Sequence, residues 1–491
     1  MSLGFWIFLK RALIAVVVLG VGGWLLLLRE VAQPHSNDPD WVFNHGSIGN
    51  EGAQGLPYWL WRVLPAVFPE HLPGDQRGWS SLGIAWKSGE PLPIGFSERT
   101  LGVIPRVAPN CGFCHQGSYR LDLHDAETIV TAGAGTRIDV QGFVRFLMAV
   151  GQDEKFRASA IMPAIKLRYD MPLWERMMYR FVLIPGARIA LKNQVAEFAW
   201  IDSRPDWGVG RIDPFNPVKF TNLELPDDGT IGNSDMMPLW NMQTAAATMN
   251  RRYHVHWDGL LSDVHETVVA GAIGDGMTNK SFPGAADNLA VMEDFVNHAM
   301  PPASPFSSKL AADDPFYVDA IEVEKGREIY TKDCAECHDP GGERFRTPIP
   351  MVEVGTDRHR LDMWTQEARD RYANYQDGYD WDFEYFHKTD GYLAVDLTGL
   401  WLRGPYLHNG SVPHLRSLLD APADRPTEFW RGSDLVDPDN GGFITTEDGD
   451  PYRRNWKVDT TVPGNSNSGH TWGTDLGAAD KSALLAYLKT L

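Results

Sequence analysis

All four cysteines of this 491-residue chain lie in two copies of one short pattern, Cys-x-x-Cys-His. Covalent attachment of haem c requires two thiols that add to the vinyl groups and an imidazole beside the second thiol. A zinc site built from the same cysteines would leave both adjacent histidines unexplained. The pattern therefore predicts two covalently bound haem c groups. The expected haem-binding residues are Cys111, Cys114 and His115 in the first copy and Cys334, Cys337 and His338 in the second.

Composition restricts the class of protein further. The length predicts more than one hydrophobic core, and the hydrophobic fraction of 43% is that of a globular chain. The net charge of -19 gives no electrostatic support to nucleic-acid binding. We therefore expect no nucleic-acid partner, and a redox partner that is steered by charge should be basic.

The N-terminal sequence predicts a membrane anchor. Lys10 and Arg11 precede an uncharged apolar run at positions 12–28, which ends at Arg29. No small-x-small cleavage site follows the run, so positions 1–30 are interpreted as an uncleaved signal-anchor with one transmembrane helix. By the positive-inside rule the basic pair stays in the cytoplasm. The expected location is the inner membrane, with the bulk of the chain in the periplasm.

The second motif has the surroundings of a cytochrome domain. Positions 323–330 predict a helix that places Gly326 and Tyr330 on one face, and positions 475–491 predict a second apolar helix. The pair resembles the first and last helices of class I cytochromes c, which cross at a glycine and an aromatic residue. The small side chain permits the close approach.

A loop at positions 464–474 precedes that last helix and contains one strong ligand, His470. His470 is therefore predicted as the distal ligand of the second iron. His408 is the alternative ligand and is otherwise a structural or propionate-side residue. Two imidazoles would give a low-spin site suited to electron relay.

The sequence does not decide which residue, if any, lies on the distal side of the first haem. His254 and His256 are two residues apart, so in an extended segment both would face the same side, towards iron or its pocket. Met277 precedes a predicted helix at 287–300 and is another candidate ligand. The third possibility is an open position for oxygen or peroxide, with a nearby histidine or aspartate moving protons. His265 is predicted mainly as an exposed helix start.

These patterns predict a mainly α chain with two class I cytochrome c-like haem domains and long loops, after one N-terminal transmembrane helix. The Pro-rich break at 301–305 divides a first haem domain at 40–300 from a second at 306–491.

Four sequence blocks also resemble a known family. They lie at 95–99, 110–115, 256–259 and 400–413. Together they are similar to the bacterial di-haem cytochrome c peroxidase superfamily, and most of all to its rubber-oxygenase-like branch. Members with a methionine on the second haem carry it where Pro422 stands here. That departure favours His470, because the rubber-oxygenase branch uses two histidines on this haem.

The resemblance implies a reactive N-terminal haem, an electron-relay C-terminal haem and a tryptophan between them, for which Trp240 is the candidate. Calcium between the domains is also among its implications.

The expected function is a membrane-anchored periplasmic di-haem oxidoreductase of the peroxidase or oxygenase type. The alternative is a purely electron-transferring cytochrome with both irons six-coordinate. Expected partners are a small cytochrome, a cupredoxin or a membrane respiratory complex. Rubber cleavage is not carried over, because a tethered protein cannot reach a particle outside the cell.

Overall fold

The computed structural model describes Lys10 and residues 30–31, 33, 36–74, 78–242, 253–375, 383–450 and 455–491. Several helices begin where a side chain accepts a backbone N–H, as at Asp139, Asp263 and Asp319. The α-helices are Pro39–His45, Tyr58–Val67, Cys111–Cys114, Val140–Gln152, Ala158–Lys166, Leu173–Met178, Ile184–Phe198, Val264–Gly274, Ala286–His298, Ala320–Asp333, Ala335–His338, Met351–Val354, His359–Met363, Gln366–Ala373, Leu415–Leu418 and Ala478–Lys489. Tyr179–Leu183 and Val218–Asn222 are π-helical. Short 3-10 turns are Pro69–His71, Trp79–Leu82, Ala199–Ser203, Phe282–Gly284, Leu400–Leu402, Pro422–Asp424 and Glu447–Gly449.

The strands form five small antiparallel sheets among the described residues. The largest has the order Glu30–Val31, Phe96–Leu101, Ile104–Pro109 and Leu56–Pro57. The other four are pairs: Gln116–Tyr119 with Thr128–Thr131, Arg211–Ile212 with Ser234–Asp235, Pro348–Pro350 with Gly391–Leu393, and Glu428–Arg431 with Trp456–Asp459.

These sheets correct the predicted fold class. The structure is 41% helical with 12% strand, so the prediction of a mainly α chain with long loops was wrong in this respect. Most strands have only two to four residues. Such strands are too short to give a clear alternating pattern, and the sequence reading therefore assigned them to loops.

The predicted N-terminal transmembrane helix is also corrected. Among the described residues, no helix is long and apolar enough to cross a membrane. The α-helix Ile184–Phe198 has 15 residues and spans about 22 Å, less than the roughly 30 Å of a bilayer core. The predicted anchor at 12–28 lies outside the described residues. The single-span inner-membrane localisation is therefore not supported.

Aromatic side chains fill the core behind the first Cys-x-x-Cys-His motif. Phe113, inside the motif, packs edge-to-face on Phe96 and Phe143 at centroid distances of 5.2 and 5.1 Å. Trp79 extends this cluster to Trp61, with the two rings stacked at 4.9 Å. The motif is therefore fixed by buried aromatic packing as well as by its own helical turn.

A second core cluster combines residues from both sides of the Pro-rich break at 301–305. It contains Met292 and Val296 from the N-terminal side, and Trp364 and Trp401 from the C-terminal side. An ion pair also joins the two sides, because Arg120 Nε donates to Asp434 at 3.0 Å and both side chains are buried. The division into haem domains at 40–300 and 306–491 stays a prediction.

The predicted helix crossing near the second motif is confirmed. Gly326, on the helix Ala320–Asp333, lies directly against the backbone of Ala483 on the helix Ala478–Lys489. Tyr330 contacts Tyr487 across the same interface, with ring centroids 5.2 Å apart. A Cβ atom on Gly326 would lie 2.0 Å from the carbonyl oxygen of Ala483, so only glycine fits this crossing.

We predict that Gly326→Ala lowers the free energy of unfolding by about 1–3 kcal/mol, because the added methyl group forces the two helices apart. Glu328→Ala is the matched control, since Glu328 is an exposed residue on the same helix. The control should change stability by less than about 0.5 kcal/mol. Denaturant titration measures both values, and equal stabilities would contradict the role assigned to the crossing.

Candidate haem sites

The first motif is held in place by glycines and by one asparagine. Asn110 caps the motif helix, because its side-chain oxygen accepts the N–H of Gly112 at 3.0 Å and its amide donates to Gly46 O at 2.9 Å. Gly95 has a φ of 81°, and its Cβ position is blocked by Phe113 Cα at 2.3 Å. These contacts account for the neighbouring sequence blocks at 95–99 and 110–115 as parts of one packed unit.

His115 is oriented for a ligand by its backbone contact. Its Nδ1 atom lies 2.8 Å from the carbonyl oxygen of Met237 and can act only as the donor to it. The other ring nitrogen, Nε2, is then unprotonated and free to bind a metal. This is the tautomer that an iron ligand requires.

A cavity of about 640 Å³ lies against the first motif, and both thiols and His115 are in its wall. Its volume lies within the range of about 300–1,000 Å³ that is typical of cofactor pockets. The wall is mainly apolar, which suits the faces of a porphyrin. The residues present therefore fit a covalently attached haem c. Polar groups in the wall include His115, His256, Asp275 and Arg360.

His256 shares this cavity with His115, whereas its neighbour His254 is directed elsewhere. The φ of His256 is 65°, so the segment is not extended, and the expected same-side placement of the two rings does not occur. His254 Nδ1 instead contacts the carbonyl oxygen of Gly259 at 2.7 Å. Burial, with the nearby Arg360 and His115, lowers the pKa of His256 to about 3. Its imidazole is therefore neutral at ordinary pH.

Four methionines line the cavity, namely Met236, Met237, Met242 and Met292, and the predicted candidate Met277 is not among them. Met277, the predicted candidate, is buried in the core beside Gly49. Met292 lines the cavity, and its sulfur lies 3.9 Å from Cys111 Sγ. The sequence reading missed Met292, because it is one apolar residue within a helix that has an ordinary helical pattern. His265, as expected, is exposed and pairs with Glu293 at 2.8 Å.

Asp275 and Arg360 are two charged cavity residues to which sequence reasoning assigned no role. Desolvation by the surrounding protein raises the pKa of Asp275 to about 7, although the side chain is accessible from the cavity. Arg360 is anchored at 2.8 Å to Ser234 Oγ and at 3.3 Å to the buried carboxylate of Asp258. Both residues are far from Cys111 in the sequence, so no local pattern indicated that they line the cavity beside it.

The second motif brings together the two histidines predicted as its axial pair. The carbonyl oxygen of Val395 lies 2.7 Å from His338 Nδ1, so Nε2 is again left free. The rings of His338 and His470 have centroids 6.3 Å apart. A metal bound by two opposite imidazoles at about 2 Å separates the ring centroids by roughly 6 Å. The spacing therefore fits one metal between the two rings.

The loop around His470 is held from behind by one arginine. Arg425 donates to the carbonyl oxygens of Gly469 and His470 at 2.8 and 3.1 Å. The backbone N–H of His470 donates to Val354 O at 2.7 Å, and its φ is 45°. The ring Nδ1 is buried without a hydrogen-bond partner among the described residues. Burial, with His338 and Arg425 nearby, lowers the pKa of His470 to about 4, so the ring is neutral.

His408, the alternative ligand, is buried against a different partner. Its ring stacks on Tyr392 with centroids 3.8 Å apart. Burial lowers its pKa well below the usual value, with Arg360 and His359 contributing. The structure thus places His470, rather than His408, beside His338.

Trp257 and Trp240 differ in what they contact. Trp257 lines the first cavity and also packs on the small core cluster that adjoins Cys337. Its Nε1 donates to Asp235 O at 2.8 Å. Trp240, the predicted candidate, is buried under Arg403 and is not in the cavity wall. Trp257 was visible in the sequence only as the neighbour of His256.

The expectation of calcium stays a prediction. Glu70, His71 and Asp153 have metal-ligand spacing among the described residues. Their charges are already matched, because Lys155 pairs with Glu70 and His71 contacts Asp153 at 2.9 Å.

Comparison with known proteins gives one family and two relatives. Residues 391–431 match the family described as RoxA-like, cytochrome c-like. The uncharacterized protein y4iM of Sinorhizobium fredii (strain NBRC 101917 / NGR234) is 28% identical over 276 residues, which are 50% of this chain and 57% of that protein. The uncharacterized protein y4iJ of the same strain is 43% identical over 109 residues, or 20% of this chain and 18% of that protein.

The family match bears on the class of cofactor. Residues 391–431 are similar to a RoxA-like, cytochrome c-like domain. This supports a c-type cytochrome with covalently bound haem c, and it includes Val395, the residue that orients His338. The wider di-haem peroxidase superfamily is not confirmed by it. The chain covers about half the length of one relative and less of the other.

The carboxyl of Asp275 predicts a pH-dependent stability. Its folded pKa of about 7 lies above the usual 3.8, so its contribution is fully present below pH 3.8 and is lost as the pH rises towards 7. Asp275→Asn should therefore match the unsubstituted protein near pH 4 and be more stable above pH 7. Thermal melts across this range measure the difference, and a constant offset at every pH would contradict the assignment.

Proposed function

We propose that this protein is a di-haem c-type oxidoreductase whose two haem sites have different roles. The observation that carries the proposal is the contrast between the motifs. The first adjoins a cavity of about 640 Å³, whereas the second has a facing histidine at a ring distance of 6.3 Å. Haem c would itself occupy this cavity, so the contrast rests on what faces each histidine: among the described residues no ring packs on His115, whereas His470 packs on His338.

Haem c, when bound, supplies a redox-active iron for one-electron transfer and for peroxide or dioxygen chemistry. The thiols of Cys111 and Cys114 would hold it in the cavity, with His115 as the proximal ligand. Met237 O fixes the ring of His115 and strengthens its basicity by accepting the Nδ1 proton.

The chain offers two groups that could handle protons in the cavity. Asp275, with a pKa near 7, can hold or release a carboxyl proton at neutral pH, which suits a general acid or base. His256 is neutral and can accept a proton or a hydrogen bond. Arg360 provides a fixed positive charge at the same wall and would stabilise a developing anion.

Electron relay is the role that we propose for the second site. Cys334 and Cys337 would hold its haem, and His338 and His470 would bind the iron from opposite sides. Two fixed ligands limit rearrangement during electron transfer. Trp257 contacts both the first cavity and the cluster beside Cys337, so we propose it, in place of Trp240, as the aromatic group between the sites.

The redox partner that we propose is a small basic protein, such as a cytochrome or cupredoxin. The net charge of -19 would steer a cationic carrier towards the protein. The identity of the substrate is not part of the proposal.

Replacing His470 by Ala should convert the second haem from low-spin to high-spin, because one axial ligand is lost. Electron paramagnetic resonance of the oxidised protein measures this change. His408→Ala is the control and should keep the low-spin signal, since His408 stacks on Tyr392 instead of facing His338. A high-spin signal in the His408 variant, with none in the His470 variant, would reverse the assignment.

The purely electron-transferring alternative is favoured by one observation, the presence of His256 in the same cavity as His115. A cyanide titration separates the two proposals. We expect the first haem to bind cyanide, and the His256→Ala variant to bind it with altered affinity. Two purely low-spin haems that bind no added ligand would contradict the oxidoreductase proposal and support the carrier.

A further inference from the structure

One helical stretch exposes an apolar face to solvent. The helices Leu173–Met178 and Ile184–Phe198 are joined by the π-helical turn Tyr179–Leu183 and together present a run of large side chains. We call these residues the apolar surface. They are Leu173, Trp174, Met177, Phe181, Val182 and Ile189, each at least half exposed.

The opposite side of the same stretch is packed on the protein. Tyr179, Ile184 and Leu191 are buried in the aromatic core behind the first motif. A helix on the surface of a soluble protein normally turns polar residues outward. Leu173, Met177 and Phe181 are instead four positions apart and share the outward side. Several large exposed apolar side chains on one helical stretch are typical of an interaction surface.

The charge around the apolar surface favours an anionic partner. Positions 166–192 contain six basic residues and two acidic ones, Asp170 and Glu175, whereas the whole chain has a net charge of -19. Glu175 is buried and accepts from Tyr169, so it adds little to the outer face, whereas Asp170 is exposed and pairs with Arg176, which leaves five other basic residues to set the sign. The basic residues are Lys166, Arg168, Arg176, Arg180, Arg188 and Lys192.

Aromatic and aliphatic side chains flanked by Lys and Arg are the composition of helices that lie in the interface of an anionic bilayer. This chain is negatively charged overall, so it could attract a basic protein without a local cluster of positive charge. The cluster therefore favours an anionic bilayer over a protein partner. A second copy is disfavoured because the two positive surfaces would repel each other.

The apolar surface also adjoins the cavity of the first motif. Val182 belongs to both, and Gly186 and Ala190 of the same stretch line the cavity wall. A bilayer in contact with this surface would lie next to the cavity wall.

We propose that the apolar surface docks peripherally on an anionic lipid bilayer, with the cavity wall facing the lipid. The contact lies in the headgroup region and needs no spanning helix. Apolar side chains contribute burial, and each Lys or Arg near the surface contributes attraction to the lipid phosphates.

The test uses the full haem-loaded chain and a local probe, because the apolar sequence at 12–28 could bind lipid by itself. Met177→Cys is labelled with an environment-sensitive fluorophore. Val352→Cys is the matched control, since Val352 is 93% exposed but lies outside the apolar surface. Unsubstituted protein treated in the same way corrects for labelling of the motif cysteines.

With phosphatidylglycerol vesicles, we expect a blue shift and protection from iodide quenching at position 177 and no change at position 352. Lys166→Gln with Arg180→Gln should raise the lipid concentration needed for half the response by roughly thirtyfold. No response at 177, an equal response at 352, or an equal response to phosphatidylcholine would overturn the proposal. A response without vesicles that grows with protein concentration would also overturn it, by indicating self-association.

Discussion

Both motifs depend on one type of interaction, a hydrogen bond from the proximal imidazole to a backbone carbonyl. His115 contacts Met237 O at 2.8 Å, and His338 contacts Val395 O at 2.7 Å. Each bond selects the tautomer whose Nε2 can bind iron and fixes the plane of the ring. Since the acceptors are backbone atoms far away in sequence, the fold must be correct around them before either site can take its shape.

The two acceptor segments are held to each other, so the sites are not independent. Asn241 lies four residues after Met237, and Asp396 lies one residue after Val395. The Asn241 side chain donates to the Asp396 carboxylate at 3.1 Å. Arg346 donates to Met242 O at 2.6 Å and lies 3.7 Å from Asp396. All three side chains are buried, and such networks are rigid when their groups are satisfied. A substitution that displaces one proximal histidine should therefore also shift the position of the other.

The sequence predicted what is local and missed what depends on packing between distant segments. A short local pattern predicts the helix crossing at Gly326. His470 was predictable because it is the one strong ligand in its loop. The separate directions of the His254 and His256 rings had no local signal, because the positive φ of His256 departs from the extended backbone that the spacing assumes. Met292 and Asp275 reach Cys111 only through the packing of helices more than 150 positions along the chain. The small sheets were missed since strands of two to four residues carry almost no periodicity.

The difference between the two sites follows from what the chain places opposite each proximal histidine. Opposite His338 a loop is pinned by Arg425, which binds the carbonyl oxygens of Gly469 and His470 and thereby holds the facing imidazole at a fixed distance. Opposite His115 there is a cavity whose wall comes from helices that also form an exposed apolar face. A pinned loop limits movement, which would suit the proposed relay. The cavity beside His115 would hold the first haem, and the proposed lipid contact would lie next to its wall. Under the proposed function, the same fold combines a closed relay site with a reactive one, and the reactive site is where substrate specificity would be determined.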